Sequence, residues 1–234
     1  CMTNSGIIGR ILLLGAMGLV LAIAWQNRDA LVRQVTIPIP VSGVGSTSKP
    51  AFDAWLAQDE SRARAFAQFE RFLAEEGVAE VVEPWQLARI DGFVARECDA
   101  EPFLIPPEDL WPKVLPALRL LREEVIPTLG PVEVLSSYRS SALNSCAGGA
   151  GRSNHLEFSA LDLVTAPRRR GEGLYRELCA MHDDAGPSSR MGLGAYYDLA
   201  EGDYSGGRFH IDGEGYRTWG RSYTSASSPC GRFD

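Results

Sequence analysis

The amino-acid sequence predicts an α+β fold in which a small antiparallel sheet is flanked by helices. Three observations support this class: apolar residues recur at helical spacing in the first half, short β-type runs begin after Gly130, and Gly- and Ser-rich loops separate those runs. The 234 residues suffice for one sizeable core plus appendages. The formal net charge is −7 and no long basic run is present, so nucleic acid is not an expected partner.

Residues 1–37 predict a membrane-directed segment. An unbroken apolar run covers residues 11–25, and with residues 7–9 it approaches the length that crosses a bilayer. An uncleaved signal anchor, with the membrane as its partner, is the favoured interpretation. A cleaved signal peptide stays open because Ala22-Ile23-Ala24 fits the small-residue cleavage pattern. A buried core helix is the least favoured, since the run has no polar stripe. Either signal takes the rest of the chain out of the cytoplasm.

Residues 38–50 predict a flexible linker because Pro, Gly and Ser dominate them. Residues 51–127 predict a helical region, in which Gly77 ends the first helix. Pro112 lies near the first turn of the last helix, where proline is tolerated, whereas Pro116 lies further in and favours a kink. The three expected helices cover residues 51–76, 86–97 and 108–125.

Residues 128–234 contain all the candidate metal ligands and catalytic residues, and their β-type runs predict the sheet. One helix is expected over residues 173–182 among the strands. The expected strands cover residues 132–135, 160–164, 193–197 and 209–211.

The cysteines form no CxxC pair, which argues against a thiolate zinc cluster or a thioredoxin-type site. Outside the cytoplasm, the four that follow the apolar run would favour disulfides. We expect Cys146 to pair with Cys230, which would tie the C-terminal tail to the loop before His155. Four buried free thiols are the alternative; the residues concerned are Cys98, Cys146, Cys179 and Cys230.

Two of the three histidines lie in a pattern that suits a metal. His155 follows a Gly-rich loop, Asp162 lies seven residues later in an apolar strand-like run, and His210 lies in a second such run. A buried carboxylate without a partner is costly, and a divalent ion would remove that cost. Two imidazoles, one carboxylate and an open position for water form a common catalytic zinc site. Spacing alone leaves a lone core histidine and a solvent-facing aspartate open as alternatives.

Motifs in a fixed order cover residues 132–220. They are Ser137-Tyr138-Arg139-Ser140, Asn144, Gly148-Gly149-Ala150, Ser153-Asn154-His155, Ala160-Leu161-Asp162, Gly192-Leu193-Gly194-Ala195-Tyr196-Tyr197, Phe209-His210-Ile211-Asp212 and Arg217-Thr218-Trp219. In this order they resemble the D-alanyl-D-alanine carboxypeptidase family of zinc metallopeptidases, the M15 type, close to its murein-endopeptidase branch.

The resemblance implies a hedgehog/D-Ala-D-Ala metallopeptidase-like fold, with Zn²⁺ held by His155, Asp162 and His210. It also implies that Arg139 reaches the cleft and pairs with a substrate carboxylate or carbonyl, which suits a planar guanidinium. In catalysis, Arg139 is expected to stabilise the developing oxyanion together with the zinc ion. A structural ion pair is the alternative for Arg139.

Further substrate contacts are expected from Ser153 and Tyr197. Ser153 either helps to arrange the site or simply caps a turn. Tyr196 and Tyr197 are both candidates for the cleft, with at least one of them in the core. His182 ends the predicted helix 173–182, where it interacts favourably with the helix dipole, and it is given no role in the site.

The resemblance does not identify the general base. Several relatives carry an acid three positions before the second histidine ligand, where this chain has Gly207. Asp212 is expected to act as the catalytic base because it shares a strand face with His210. The alternative is that Asp212 holds the site by hydrogen bonding. Other candidates are Asp203, Glu214 and Glu157.

Phe158 and Ser159 depart from the family pattern, which usually has a glycine in this stretch. Side chains at these positions are expected to reshape the edge of the cleft.

The sequence thus predicts a zinc peptidase that hydrolyses a bond next to a D-amino acid in bacterial peptidoglycan stem peptides, as a D,D-carboxypeptidase or D,D-endopeptidase. The expected location is the periplasmic side of the inner membrane, or outside the cell after signal cleavage. Two other classes stay open: a non-catalytic peptidoglycan-binding module on the same fold, and an envelope scaffold built on residues 51–125.

Overall fold

The computed structural model describes residues 47–233. The predicted membrane anchor, residues 1–37, and most of the predicted linker, residues 38–50, lie outside the described residues. Among residues 47–233, no helix combines the length and the apolar character that crossing a membrane requires.

Within residues 47–233, five α-helices precede the main sheet and two lie between its strands. The α-helices are α1 (Lys49–Leu56), α2 (Glu60–Glu75), α3 (Gly92–Glu97), α4 (Leu115–Leu120), α5 (Ile126–Leu129), α6 (Ser141–Cys146) and α7 (Glu172–Ala185). A π-helical turn, Leu121–Val125, joins α4 to α5. The 3₁₀ turns are Pro84–Ala88, Glu108–Val114, Asn154–Glu157, Pro187–Ser189, Ser225–Ser227 and Cys230–Arg232.

The strands form one five-stranded sheet and one small hairpin. They are β1 (Val132–Ser136), β2 (Ala160–Thr165), β3 (Gly192–Ala195), β4 (Tyr197–Asp198), β5 (Gly202–Asp203), β6 (Phe209–Asp212) and β7 (Arg217–Trp219). The main sheet has the order β1-β2-β6-β3-β7, and β4 pairs with β5.

The α+β class is confirmed, but the expectation of a purely antiparallel sheet is wrong. Neighbouring strands are antiparallel from β1 to β3, whereas β7 is parallel to β3. The chain reverses after β6 and then passes to the far side of β3, which itself runs antiparallel to β6. A strand placed there must run parallel to β3. The short β7 begins with an exposed arginine, so no apolar alternation indicated it.

The helix predicted over residues 51–76 is two helices. Asp59 has extended backbone, which interrupts the helical conformation between α1 and α2. Its carboxylate accepts a hydrogen bond from the Ser61 amide at 2.7 Å and so caps the N-terminus of α2. The helix α1 begins at Lys49, inside the predicted linker, because Ser48 caps it and Pro50 suits a first turn.

Prolines also divide the helix predicted over residues 108–125. Pro112 lies in the 3₁₀ turn, Pro116 at the start of α4 and Pro127 at the start of α5. Each proline lacks an amide hydrogen, so the hydrogen-bond spacing changes from 3₁₀ to α to π along this stretch instead of staying uniform.

Helical residues and strand residues share one hydrophobic core. It contains apolar side chains from both predicted regions, 51–127 and 128–234. The ring of Phe69 on α2 lies 6.0 Å from that of Phe158, and Pro116 of α4 packs so closely on Gly213 that a Cβ there would lie 2.5 Å from the proline ring. The helices therefore support the back of β6, the strand that carries His210.

Two disulfides are present, Cys98–Cys146 and Cys179–Cys230. The expected pairing of Cys146 with Cys230 is wrong. Cys146 ends α6, which lies beside the end of α3, while Cys230 in the C-terminal tail lies against α7. The first bond ties α3 to the segment before His155, and the second fixes the tail.

Phe158 does not reshape the cleft edge as expected, because its ring is fully buried in the core. Its backbone has φ 57°, the left-handed conformation that glycine adopts without strain. Ser159 is also buried, and its hydroxyl donates to the Asn154 carbonyl at 3.3 Å. A phenylalanine is therefore held in a backbone shape that suits the family's glycine.

Replacing Phe158 by glycine is expected to be no more destabilising than replacing it by alanine. Both changes lose the ring, at about 3–5 kcal/mol, but only glycine relieves the left-handed strain of about 1 kcal/mol. Denaturant unfolding of both variants measures the difference in free energy of unfolding.

Phe69, inside the regular helix α2, provides the control. There glycine is expected to be about 1 kcal/mol worse than alanine. If glycine were worse by the same amount at both positions, Phe158 would carry no strain.

Candidate metal centre

Two neighbouring strands and one turn bring three candidate ligands together. Asp162 on β2 and His210 on β6 are directly paired across the sheet. His155 lies in the 3₁₀ turn that leads into β2, and Ser153 caps this turn through a hydrogen bond from the His155 amide. All three candidate ligands are buried, and one ligand atom from each lies within 4.8 Å of the others.

The two imidazoles point at the same carboxylate oxygen. Oδ1 of Asp162 lies 3.3 Å from Nε2 of His155 and 3.1 Å from Nδ1 of His210. Nitrogen and oxygen ligands placed about 2.0–2.2 Å from a tetrahedral ion lie roughly 3.3–3.6 Å from one another. The observed spacing therefore needs only a small adjustment to hold one divalent ion.

The other nitrogen of each imidazole is engaged by the protein. Nδ1 of His155 donates to the Ser137 carbonyl, and Nε2 of His210 faces Oδ2 of Asp212 at 3.1 Å. These partners assign the proton to the nitrogen that faces away from Asp162, and they leave the nearer nitrogen as a lone-pair donor. Metal-binding histidines are commonly oriented in this way.

The electrostatics of the cluster also suit a cation. Burial raises the pKa of Asp162, but His155, His210 and Arg139 outweigh it and hold that pKa well below its usual value. Burial lowers the pKa of His155. It also acts to lower the pKa of His210, yet Asp162 and Asp212 raise it overall. The negative charge of the two carboxylates would also attract a metal ion, which would compete with that proton for the nitrogen of His210.

Arg139 contacts the cluster directly. Its Nη2 donates to Oδ2 of Asp162 at 2.6 Å, and its Nε donates to the Ser136 hydroxyl at 3.3 Å. The residue lines the same cleft as the ligands. Arg139 therefore forms the structural ion pair that was the alternative, while its position still allows contact with a substrate.

Asp212 is placed beside His210, but its geometry favours the holding role over that of a base. It is fully buried, and both oxygens are occupied: Oδ1 accepts from the Glu214 amide and Nη1 of Arg217, while Oδ2 accepts from Nη2 of Arg217 and faces His210. Burial raises its pKa, but the bonds from His210 and Arg217 outweigh burial and leave that pKa below its ordinary value. A carboxylate so engaged is a poor proton acceptor.

Gly207, the position of the missing acid, has no room for a side chain. Its φ is +84°, and a Cβ there would lie 2.0 Å from the Arg169 carbonyl oxygen. Asp203 accepts hydrogen bonds from the Gly171, Ser205 and Gly207 amides and so holds the loop before β6. The other two candidates, Glu157 and Glu214, do not line the cleft.

Two glycines on β3 make room for the centre, a role that sequence reasoning missed. A Cβ at Gly192 would lie 2.5 Å from Oδ1 of Asp212, and one at Gly194 would lie 2.9 Å from Cβ of His210 and 3.0 Å from the Trp219 ring. The alternation of Gly192-Leu193-Gly194 places both glycines on the face that carries His210. That alternation was the available signal.

The cleft above the cluster has a volume of about 640 Å³. Ser153 and Tyr196 line it, but Tyr197 does not. The Tyr197 hydroxyl donates to Glu172 at 3.2 Å, because successive residues of an extended chain face opposite sides. His182 lies outside the cleft, stacked on Tyr216, as the sequence suggested.

Arg208 and Asp91 are cleft residues that sequence reasoning did not single out. Arg208 precedes β6 and alternates with His210 and Asp212, so the strand pattern indicated its side. Asp91 comes from the helical region, and nothing in its local sequence indicated that it lies near the ligands.

Comparison with known proteins supports an M15 peptidase family. Residues 91–185 match a family model described as Peptidase M15. The matched stretch includes His155 and Asp162 and ends before His210. No curated protein and no solved structure gives a significant match to the chain. The family match suggests a metallopeptidase, and the three converging ligands provide a group that could bind its metal.

Replacing Asp212 by asparagine is expected to weaken metal binding by about 10–100-fold, because His210 loses the negatively charged acceptor that orients it. Competition with a chromogenic chelator measures the affinity. His182→Gln provides the control, since it removes the one histidine outside the cleft and should leave affinity and stoichiometry unchanged. Unchanged affinity in Asp212→Asn would show that Asp212 does not orient a ligand.

Proposed function

We propose that this chain is a zinc-dependent peptidase that hydrolyses a stem-peptide or cross-link bond next to a D-amino acid in bacterial peptidoglycan. The observation that carries the proposal is the convergence of His155, Asp162 and His210 beneath an open cleft. The match of residues 91–185 to an M15 peptidase model supports the same reading.

The donor set suits zinc better than the harder divalent cations. Two imidazole nitrogens and one carboxylate oxygen are typical zinc ligands, whereas magnesium and calcium prefer sites made of oxygen. When bound, the ion supplies Lewis acidity, which polarises a peptide carbonyl and makes water a stronger nucleophile near neutral pH.

The chain's own residues hold the site and orient the substrate. Asp212 and the Ser137 carbonyl fix the two imidazoles, so the ligands are in place before substrate arrives. Arg139, anchored on Asp162, presents its guanidinium to the cleft and is proposed to bind a substrate carbonyl or carboxylate. Ser153 lines the same wall and is proposed to contact the peptide.

The proposed location is the bacterial envelope, on the periplasmic side of the inner membrane or outside the cell. Two disulfides support a compartment that is oxidising. The apolar run over residues 11–25 is proposed to anchor the protein in the membrane, or to be removed as part of a signal peptide.

A non-catalytic peptidoglycan-binding module is the second candidate function. One observation favours it: Gly207 cannot carry the family's acid, and the expected substitute, Asp212, has both oxygens occupied. Cleavage and binding must therefore be measured separately.

The purified full chain is expected to release peptide products from sacculi when zinc is present and to stop when a chelator removes it. Mass spectrometry of the products identifies the bond and separates carboxypeptidase from endopeptidase action. His155→Ala is expected to lower the rate by at least about 100-fold, while His182→Gln retains it.

A binding module would give a different pattern. The wild-type chain would co-sediment with sacculi and release no product with or without zinc. That result would overturn the peptidase proposal.

A further inference from the structure

The cleft concentrates positive charge on a chain that is acidic overall. Its lining includes five arginines and three aspartates, with no lysine and no glutamate, while the chain carries a formal net charge of −7. One of the aspartates, Asp162, is a candidate ligand. Such a cleft attracts anionic groups and repels cationic ones.

Four of the five arginines have a carboxylate partner. Arg139 donates to Asp162, Arg217 donates through both terminal nitrogens to Asp212, and Arg221 pairs with Glu201. Arg152 makes no hydrogen bond or ion pair with any residue between 47 and 233, but it is exposed and nothing holds it in one position. Arg208, the fourth, pairs with Asp91, whose side chain is 12% exposed, whereas Glu201, the partner of Arg221, is 63% exposed.

Arg208 is held in place and still has donors to spare. Its Nη2 donates to Oδ2 of Asp91, and within the described chain its guanidinium makes no other hydrogen bond. A guanidinium carries five N–H groups, so four stay available. Its side chain is 28% exposed, which is enough for contact with a ligand in the cleft.

Asp91 fixes Arg208 to a rigid element. The other oxygen of Asp91 accepts from the Phe93 and Val94 amides and caps α3, so the carboxylate cannot swing away with the arginine. A guanidinium fixed in this way loses little conformational entropy when it binds a carboxylate.

Arg208 also lies where a substrate group would meet the reacting bond. Arg208 immediately precedes β6 and lies two residues before His210, and Arg208, His210 and Asp212 all line the cleft. Residues two apart on a strand are about 6–7 Å apart along its axis. A carboxylate on Arg208 would therefore belong to a residue that adjoins the bond held at the metal ligands.

We propose that Arg208, positioned by Asp91, binds a carboxylate of the substrate next to the scissile bond and so makes the site selective for acidic peptides. This inference rests on the proposed peptidase function. The carboxylate has two sources in a stem peptide, the free C-terminus and the α-carboxylate of D-glutamate, and both present the same planar acceptor.

Three synthetic stem peptides test the proposal: the free acid, its C-terminal amide, and the form with the D-glutamate α-carboxylate amidated. The wild-type protein with zinc is expected to hydrolyse the free acid with a kcat/KM at least about tenfold above that of one amide, mainly through KM. The amide peptide with the lower kcat/KM identifies which of the two carboxylates is bound. If both amides match the free acid, the proposal is overturned.

Arg208→Gln is expected to abolish this preference by lowering kcat/KM for the free acid to the value for the amide, which itself changes less than about threefold. Arg208→Lys keeps the charge and the pairing with Asp91 but loses the planar fork, so it should retain part of the preference. Arg119→Gln removes an arginine outside the cleft and should keep all of it. If Arg208 had only a structural role, Arg208→Gln would lower kcat/KM for the free acid and for the amide by the same factor. That result would overturn the proposal.

Failure of the proposed function can be told apart from failure of this inference. If the wild-type protein cleaves none of the peptides, peptidase action fails, and calorimetry of peptide binding then tests Arg208 alone. Tighter binding of the free acid than of an amide by the wild-type protein, and equal binding by Arg208→Gln, support the inference. Equal binding of all three peptides by the wild-type protein overturns it.

Discussion

Burying the carboxylate of Asp162 in the middle of a sheet is the constraint on which the rest of the site depends. A carboxylate at that depth must be balanced by donors or by a cation. Two imidazoles approach one of its oxygens and a guanidinium approaches the other. Each imidazole in turn needs an acceptor on its far side, which Ser137 and Asp212 supply. The ligands, their supports and Arg217 therefore form one connected polar network.

The network places demands on the strands around it. Asp162 and His210 meet because β2 and β6 are paired in register, and a slip of either strand by one residue would turn its side chain to the opposite face. The neighbouring strand β3 can carry no bulk on that face, which explains Gly192 and Gly194. The helices pack on the other side of the sheet. The β2–β6 pairing, strand β3 and the helices thus all restrict the movement of the ligands. Such restriction suits a site whose ligand geometry is set before the metal binds.

Much of this arrangement could be predicted from the sequence. Short β-type runs between Gly- and Ser-rich loops located the four core strands, and the ordered motifs identified His155, Asp162 and His210 as a group. What could not be predicted depends on contacts between distant segments. Asp91 reaches the cleft only because α3 packs beside the sheet, and disulfide partners depend on which helices adjoin. The hydrogen-bond partners of Asp212 could not be predicted either, because alternation shows the face of a side chain but not the groups that it contacts.

The crowding around Gly207 limits how this site can change. The Arg169 carbonyl occupies the volume that any side chain there would need, and the backbone is left-handed as well. No single codon change at this position can therefore introduce an acid without moving the 168–170 segment. Acquiring one would require a coupled remodelling of two loops, and intermediates with only one change would be strained. Selection acting on this cleft has easier routes through residues that already face it.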